Sequence, residues 1–321
     1  MLPEFNRKKR GETEAREPVQ SPAMTSFTLP LPGDFYAAVP LRWLGRDPES
    51  RTERVDGRSM AKALDFDGTP AVLRIDLDAA AARCRVDTRL SAEGKRAARE
   101  AAVRMLGIGF DPAPFERRAA LDRHVRRLIA GRRGLRVPLT ASVFEALVWT
   151  IAGQQVNLAF AYRLRRVLIE LTGKRTGKRT GEDDSPAAFI AHPTPEAVAR
   201  LDYDDLTRRQ WSRRKAEYVI DVARAVATGT LDLDALQQAS AESARETLES
   251  LRGFGVWSAN YVMMRGLGLA DCVPLGDTGL TSALERFFEL DHRPDRAETE
   301  ALMQLFAPYR SIATFHFWAS G

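Results

Sequence analysis

The stretch from Leu251 to Leu280, LRGFGVWSANYVMMRGLGLADCVPLGDTGL, gathers the groups in this chain best placed to do chemistry. Gly253 and Gly255 lie one residue apart, between a helical pattern marked by Thr247, Leu248 and Leu251 and a second marked by Ala259, Val262 and Met263. Two glycines so placed permit positive φ and leave backbone N–H groups uncovered. Together with the positive end of the following helix, those amides can grip a phosphate without any side chain. Gly276-Asp277 comes twenty residues after Trp257 and sets a carboxylate directly before a helix starting at Thr278, where it can serve as the cap. A Gly-x-Gly alone reads as a tight turn. The spacing of both glycines, Trp257, Asn260, Tyr261 and Asp277 is far more restrictive.

Several elements must position these groups. From Phe27 to about Val86 the pattern is that of strands: Leu73, Ile75 and Leu77 alternate with Arg74, Asp76 and Asp78, and Asp67-Gly68 supplies turn chemistry just before them. From Ser91 a helix carries Ala98, Ala102, Met105 and Leu106 until Gly107 to Pro114 stop it. Helical spacing dominates from about Phe115 onward. One helix bears Phe144, Leu147, Val148 and Ile151 before Gly153 breaks it, and another bears Phe160, Leu164, Val167, Leu168 and Leu171. GKRTGKRTG, Gly173 to Gly181, repeats a basic tetrapeptide and reads as a surface loop. Residues 1–26, with RKKR at Arg7 to Arg10, read as a solvated tail.

Composition narrows the function classes. The 321 residues are 44% hydrophobic and 28% charged, values of a folded globular chain. The apolar runs fall short of the ~18 residues a membrane span needs, and the first 25 residues lack the apolar core of a secretory signal, so a cytosolic protein is expected. Cys84 and Cys272 are far apart, and His124, His192, His292 and His316 are scattered, so no zinc or iron–sulfur framework is available from side chains. Net charge is +5 with a pI near 9.4, mostly from arginine, which leans toward an anionic partner.

The segment from Leu251 to Leu280 resembles the helix-hairpin-helix DNA glycosylase superfamily, in particular the bacterial 3-methyladenine DNA glycosylase II family. FEALVWTIAGQQV (Phe144 to Val156), RRKAEYVI (Arg213 to Ile220) and PYRSIATFHFW (Pro308 to Trp318) agree with it, and VDGRSM and FDGTPAVLRI are similar to that family's amino-terminal domain. The resemblance covers roughly Phe27 to Trp318. It implies an α+β chain: an amino-terminal α+β domain over 27–114 holding a small β-sheet, then a helical domain over 115–321 whose two lobes flank an active cleft.

The resemblance also implies roles. Asp277 faces the anomeric carbon of an extruded nucleotide, where a carboxylate can stabilise an oxocarbenium-like transition state or activate water. Trp257, Tyr261 and Trp318 match positions that wall the flipped base, and their electron-rich faces attract a cationic ring. Gly253, Phe254 and Gly255 form the DNA-binding hairpin. Gln155 takes the wedge position, with Gln154 beside it, and the alternative is an N-cap neighbourhood around Asn157. Arg252 stands where a proline is common and adds a phosphate contact, and Lys215 reads as helix surface or phosphate contact. The carbonyls of Leu251 and Phe254 could hold a structural sodium or potassium; no other cofactor is expected.

Related bifunctional enzymes carry a Schiff-base lysine where this chain has Trp257. A monofunctional hydrolase is therefore expected, releasing alkylated purines of the 3-methyladenine and 7-methylguanine type from double-stranded DNA and leaving an abasic site. Such bases are already cationic and depart without a second acid, and no second motif-borne acid is present. A monomer in a bacterial cytoplasm, associated with the nucleoid, is the expected setting. The alternative is a non-catalytic damage-binding protein that uses the same hairpin.

Overall fold

The computed structural model describes residues 24–176 and 189–320. The RKKR of the tail and the second half of GKRTGKRTG lie outside the described residues. The first strand already includes Thr25 and Ser26.

Five strands, β1 (Thr25–Pro30), β2 (Glu53–Asp56), β3 (Ser59–Phe66), β4 (Thr69–Leu77) and β5 (Ala81–Val86), form one antiparallel sheet in the order β1-β5-β4-β3-β2. Phe66 pairs with Thr69 across Asp67 (φ +54°) and Gly68 (φ +79°), a two-residue turn whose positive φ values match the twist of the hairpin. Leu73 and Ile75 are wholly buried, as the alternation requires. Helix α1 (Ala38–Leu44) lies between β1 and β2 in the chain. Helix α2 (Ala92–Leu106) starts at Ser91, whose hydroxyl accepts the Gly94 N–H at 2.9 Å, and packs Ala98, Ala102 and Leu106 onto one face of the sheet. Ala61, Ala63 and Val72 on the other face meet Phe189 and Ala191.

The remaining described chain is helical: α3 (Ala113–Arg117), α4 (Arg123–Ile129), α5 (Val143–Gly153), α6 (Leu158–Thr172), α7 (Pro195–Ala199), α8 (Tyr203–Thr207), α9 (Arg213–Ala227), α10 (Leu233–Gln238), α11 (Ala241–Ser250), α12 (Val256–Val262), α13 (Thr278–Phe288), α14 (Arg296–Gln304) and α15 (Arg310–Ala319). Side chains supply the N-caps of most long helices, Ser142 for α5, Asn157 for α6, Ser212 for α9 and Ser240 for α11.

These helices make two groups. Helix α5 packs on α6, α9 and α12, and α9 packs on α7 and α8, while α15 packs on α4 and α13. The chain therefore begins one lobe with α3 and α4, builds the other from α5 to α12, and returns with α13 to α15. One contiguous apolar core runs through both lobes and takes in Val39 of α1, with Trp43 packed against it.

Candidate active site and nucleic-acid interface

The hairpin forms where α11 hands over to α12. The Phe254 N–H donates to the Leu251 carbonyl at 3.0 Å, and the Phe254 ring is buried. Gly253 has φ +87°, and a Cβ there would stand 2.3 Å from the Tyr218 ring, so only glycine fits. Gly255 differs: its φ is −121° and a Cβ would meet nothing within 4 Å. Its smallness leaves space on the outer side of the turn, where α12 begins without a side-chain cap.

Gln154 serves this turn from inside. Its Nε2 donates to the Gly253 carbonyl at 2.8 Å and to Ser258 Oγ at 3.2 Å, so the amide holds the hairpin to α5. Gln155 is exposed and has φ +53°, a conformation rare outside glycine. The N-cap alternative holds alongside it, since Asn157 Oδ1 accepts the Phe160 N–H at 2.9 Å. Leu158, half-exposed beside Gln155 at the cleft edge, carries an apolar side chain that the sequence reading did not single out.

One basic residue sits differently from expectation, and a second is engaged within the protein. Lys215 is not on the helix surface: it is buried, and its Nζ donates to the Ala152 carbonyl at 2.8 Å. It satisfies a carbonyl at the C-terminal end of α5, and desolvation lowers its pKa to about 8. Arg252 is exposed but engaged, with its guanidinium 2.8 Å from Glu217 and over the Tyr218 ring at 5.5 Å.

Asp277 stands at the other side of the cleft. Its N–H donates to the Pro274 carbonyl at 3.0 Å through a turn that gives Gly276 φ +92°. Its Oδ1 accepts the Leu280 N–H at 2.8 Å, making it the N-cap of α13, and also accepts the Trp318 indole N–H at 3.0 Å. Cap and cleft residue are thus one role, because both donors leave the carboxylate facing a cavity of about 1300 Å³ that Asp277 lines.

The aromatic wall is longer than the sequence indicated. Ring centroids run from Trp257 to Tyr261 at 5.6 Å, Tyr261 to Trp318 at 6.4 Å, and Trp318 to Trp43 at 5.4 Å. Tyr261 is buried, which pushes its hydroxyl pKa up. Trp43 comes from α1, and no motif marked it. Trp149 and Tyr162, 4.8 Å apart, line the same cavity from α5 and α6.

Charged side chains form part of the lining as well. Lys62 donates to Glu53 at 2.6 Å and to Glu145 at 2.5 Å, and Arg165 bonds both oxygens of Glu53 at 2.9 and 2.8 Å and Glu145 at 2.8 Å. All four are buried, and they join the sheet to α5 and α6. Burial alone would raise the two carboxyls, but the neighbouring cations hold both well below the usual range. Among the described residues no cluster of three or more His, Cys, Asp or Glu is placed to hold a metal. Cys84 and Cys272 are unpaired and buried, which pushes each thiol up to about 12. No helix among the described residues is long and apolar enough to cross a membrane.

Known proteins resemble this chain in sequence and in fold. The DNA-3-methyladenine glycosylase of Bacillus subtilis is 33% identical over 211 residues, covering 65% of this chain and 67% of that protein. DNA-3-methyladenine glycosylase 2 of Escherichia coli is 34% identical over 192 residues, covering 60% of this chain and 62% of its own length. The matched region thus spans about two thirds of these relatives. Among solved structures, the 3-methyladenine DNA-glycosylase of Archaeoglobus fulgidus shares the fold, with a TM-score of 0.78 and 20% identity over 91% of this chain and 97% of that one. The HhH-GPD superfamily of base excision DNA repair proteins matches residues 148–308, from the middle of α5 to just before the last helix, and the chain belongs to that superfamily.

Proposed function

We propose that the protein is a monofunctional DNA glycosylase that hydrolyses the N-glycosidic bond of alkylated purines in double-stranded DNA, acting as a monomer. One observation carries this reading: Asp277 faces an aromatic cleft beside the hairpin, with its Oδ1 fixed by Trp318. The hairpin amides would hold the phosphate backbone, Gln155 would fill the gap in the duplex, and the wall from Trp257 to Trp43 would stack the extruded base. Asp277 would then stabilise positive charge on the sugar as the base departs, and orient the water that replaces it.

Among the described residues that line the cleft, no lysine stands at the hairpin position and each amine already has a partner. Trp257 cannot form a Schiff base, Lys62 is clamped between two carboxylates, and Lys215 is spent on a backbone carbonyl. An abasic site is therefore the expected product.

A duplex with a single 7-methylguanine, incubated with the protein or its Asp277→Asn variant and assayed with and without hot alkali, tests this. Strand breaks only after alkali, reduced about 10²–10³-fold in the variant, are expected. Asparagine caps a helix as well as aspartate, so the variant should stay folded. Tight binding without base release by either protein would replace the enzyme with a damage-binding protein.

A further inference from the structure

Two guanidinium groups line the cleft with no ion pair to a carboxylate among the described residues, although Asp277 acts on Arg46 across the cavity. Arg265 is 3% exposed, and its Nε and Nη1 have no hydrogen-bond partner among the described residues. It lies over Trp43 at 4.4 Å and Phe315 at 5.3 Å. Arg46 covers Trp43 at 3.5 Å, and none of the ion pairs among the described residues involves it. Both line the cavity that holds Asp277. Burial pushes both guanidiniums below their ordinary range, yet arginine keeps its charge in proteins. Glu145, the buried carboxylate nearest in chemistry, is already taken by Lys62, Arg165 and the Ala141 N–H.

Buried, unsatisfied donors are expensive unless a ligand completes them. Their placement is specific too. The chain from Met263 to Leu267 forms a π-turn, a device that recurs at functional sites, and the Arg265 carbonyl within it is fixed by the Thr140 N–H at 2.9 Å. The cleft that Arg265 lines is the side from which an acceptor can approach its guanidinium. A cationic alkylated purine would bring a further positive charge to this wall. An uncharged purine lesion brings carbonyl and ring-nitrogen acceptors instead, and becomes negative as it leaves.

We infer that Arg265, seconded by Arg46, is a specificity-determining residue that donates to the acceptor edge of an uncharged purine lesion and stabilises it as leaving group. The inference rests on the glycosylase reading. In the step, the bond between C1′ and N9 breaks and its electron pair leaves with the purine. Water adds its oxygen to C1′ and yields one proton to the purine anion. The guanidinium supplies by electrostatics what a second carboxylic acid supplies in other glycoside hydrolysis.

The test uses the full chain, its Arg265→Met and Arg46→Met variants, and duplexes carrying either hypoxanthine, uncharged, or 7-methylguanine, cationic. Both bases bear the same 6-carbonyl; 7-methylguanine adds a 2-amino group and an N7 methyl, and with that methyl the positive charge. Single-turnover release of hypoxanthine should fall about tenfold or more in each variant, while release of 7-methylguanine stays within about threefold or rises. Duplex affinities in an Asp277→Asn background should shift the same way. Arg46 is partly exposed, so its variant keeps the test valid should Arg265→Met fold poorly. An equal fall on both lesions, or an unchanged ratio in both variants, overturns the inference. Were the wild-type protein to release neither base, the glycosylase reading would fail, and the shift in binding ratio would still decide the role of the arginines.

Discussion

The indole N–H of Trp318 meets Oδ1 of Asp277 at 3.0 Å, although the two residues stand 41 apart in the chain. One belongs to α15 and the other caps α13, so the last helix of the protein sets the orientation of the carboxylate that the cleft presents. Trp318 also stacks within the aromatic wall, 5.4 Å from Trp43.

Replacing Trp318 by phenylalanine keeps a ring in the wall and removes the donor. Release of 7-methylguanine should slow about tenfold, the usual worth of a hydrogen bond to a charged group. Duplex affinity and melting temperature should hardly change. Single-turnover rates beside a thermal melt check this; a rate equal to wild type would mean that the Leu280 amide alone orients Asp277.

The two hairpin glycines separate folding from DNA contact. Gly253→Ala forces a left-handed alanine, costing about 1–2 kcal/mol, and drives its methyl into Tyr218, so both stability and duplex affinity should drop. Gly255→Ala meets no protein atom within 4 Å, so the melting temperature should hold while affinity falls. Wild-type duplex binding by Gly255→Ala would show that DNA does not approach this turn.

Lys62→Met leaves Glu53 and Glu145 sharing Arg165 alone in a buried site. Stranding a buried charge typically costs about 3–5 kcal/mol, enough to lower the melting temperature by roughly 5–10 °C. A Lys62→Met, Glu145→Gln double variant removes the surplus negative charge and should recover part of the loss, measured as a double-mutant cycle. Additive losses would show that the four side chains do not act as a unit.

Acid should weaken the fold in two stages, both with the same sign. His192 and His316 are buried, which lowers their pKa values to about 4 and about 3, below the ~6.5 of an unfolded histidine. As pH falls from 6.5 the unfolded chain takes up protons that the folded one refuses, so each histidine removes roughly 2 kcal/mol of stability by pH 5. Glu53 and Glu145 act lower. Their carboxyls are held below the unfolded value near 4.3, Glu145 at about 2, so their contribution is complete above that value and is lost as pH drops through the folded one. Chemical denaturation between pH 7 and 3 checks this. Stability that stays flat down to pH 5 in the wild-type protein would sink the histidine stage.

Much of the site could be read one element at a time. The alternation at Leu73, Ile75 and Leu77, the Asp67-Gly68 turn and the break at Gly153 are local signals, and each lies where its local chemistry put it. Lys215 could not be read so. A lysine on an amphipathic helix ordinarily reaches water, and only the approach of α5 turns its ammonium onto the Ala152 carbonyl. Gln154 likewise spends its amide on Gly253, 99 residues away, because two distant segments meet there.

The sequence by itself determined the hairpin, the capping carboxylate at Asp277 and the strand-to-helix order, because each follows from backbone freedom, periodicity or a motif within a few turns of chain; Trp257, Tyr261 and Trp318 were marked only by the family resemblance. Only the tertiary structure decided that Trp43 and Arg46 from the amino-terminal part reach the cleft, and that Arg265 faces it unpaired. It also decided that Glu53, Lys62, Glu145 and Arg165 neutralise one another at the junction of sheet and helices. Partners across a cleft are chosen by how lobes pack, and desolvation by how much chain closes over a group, neither of which a local pattern records.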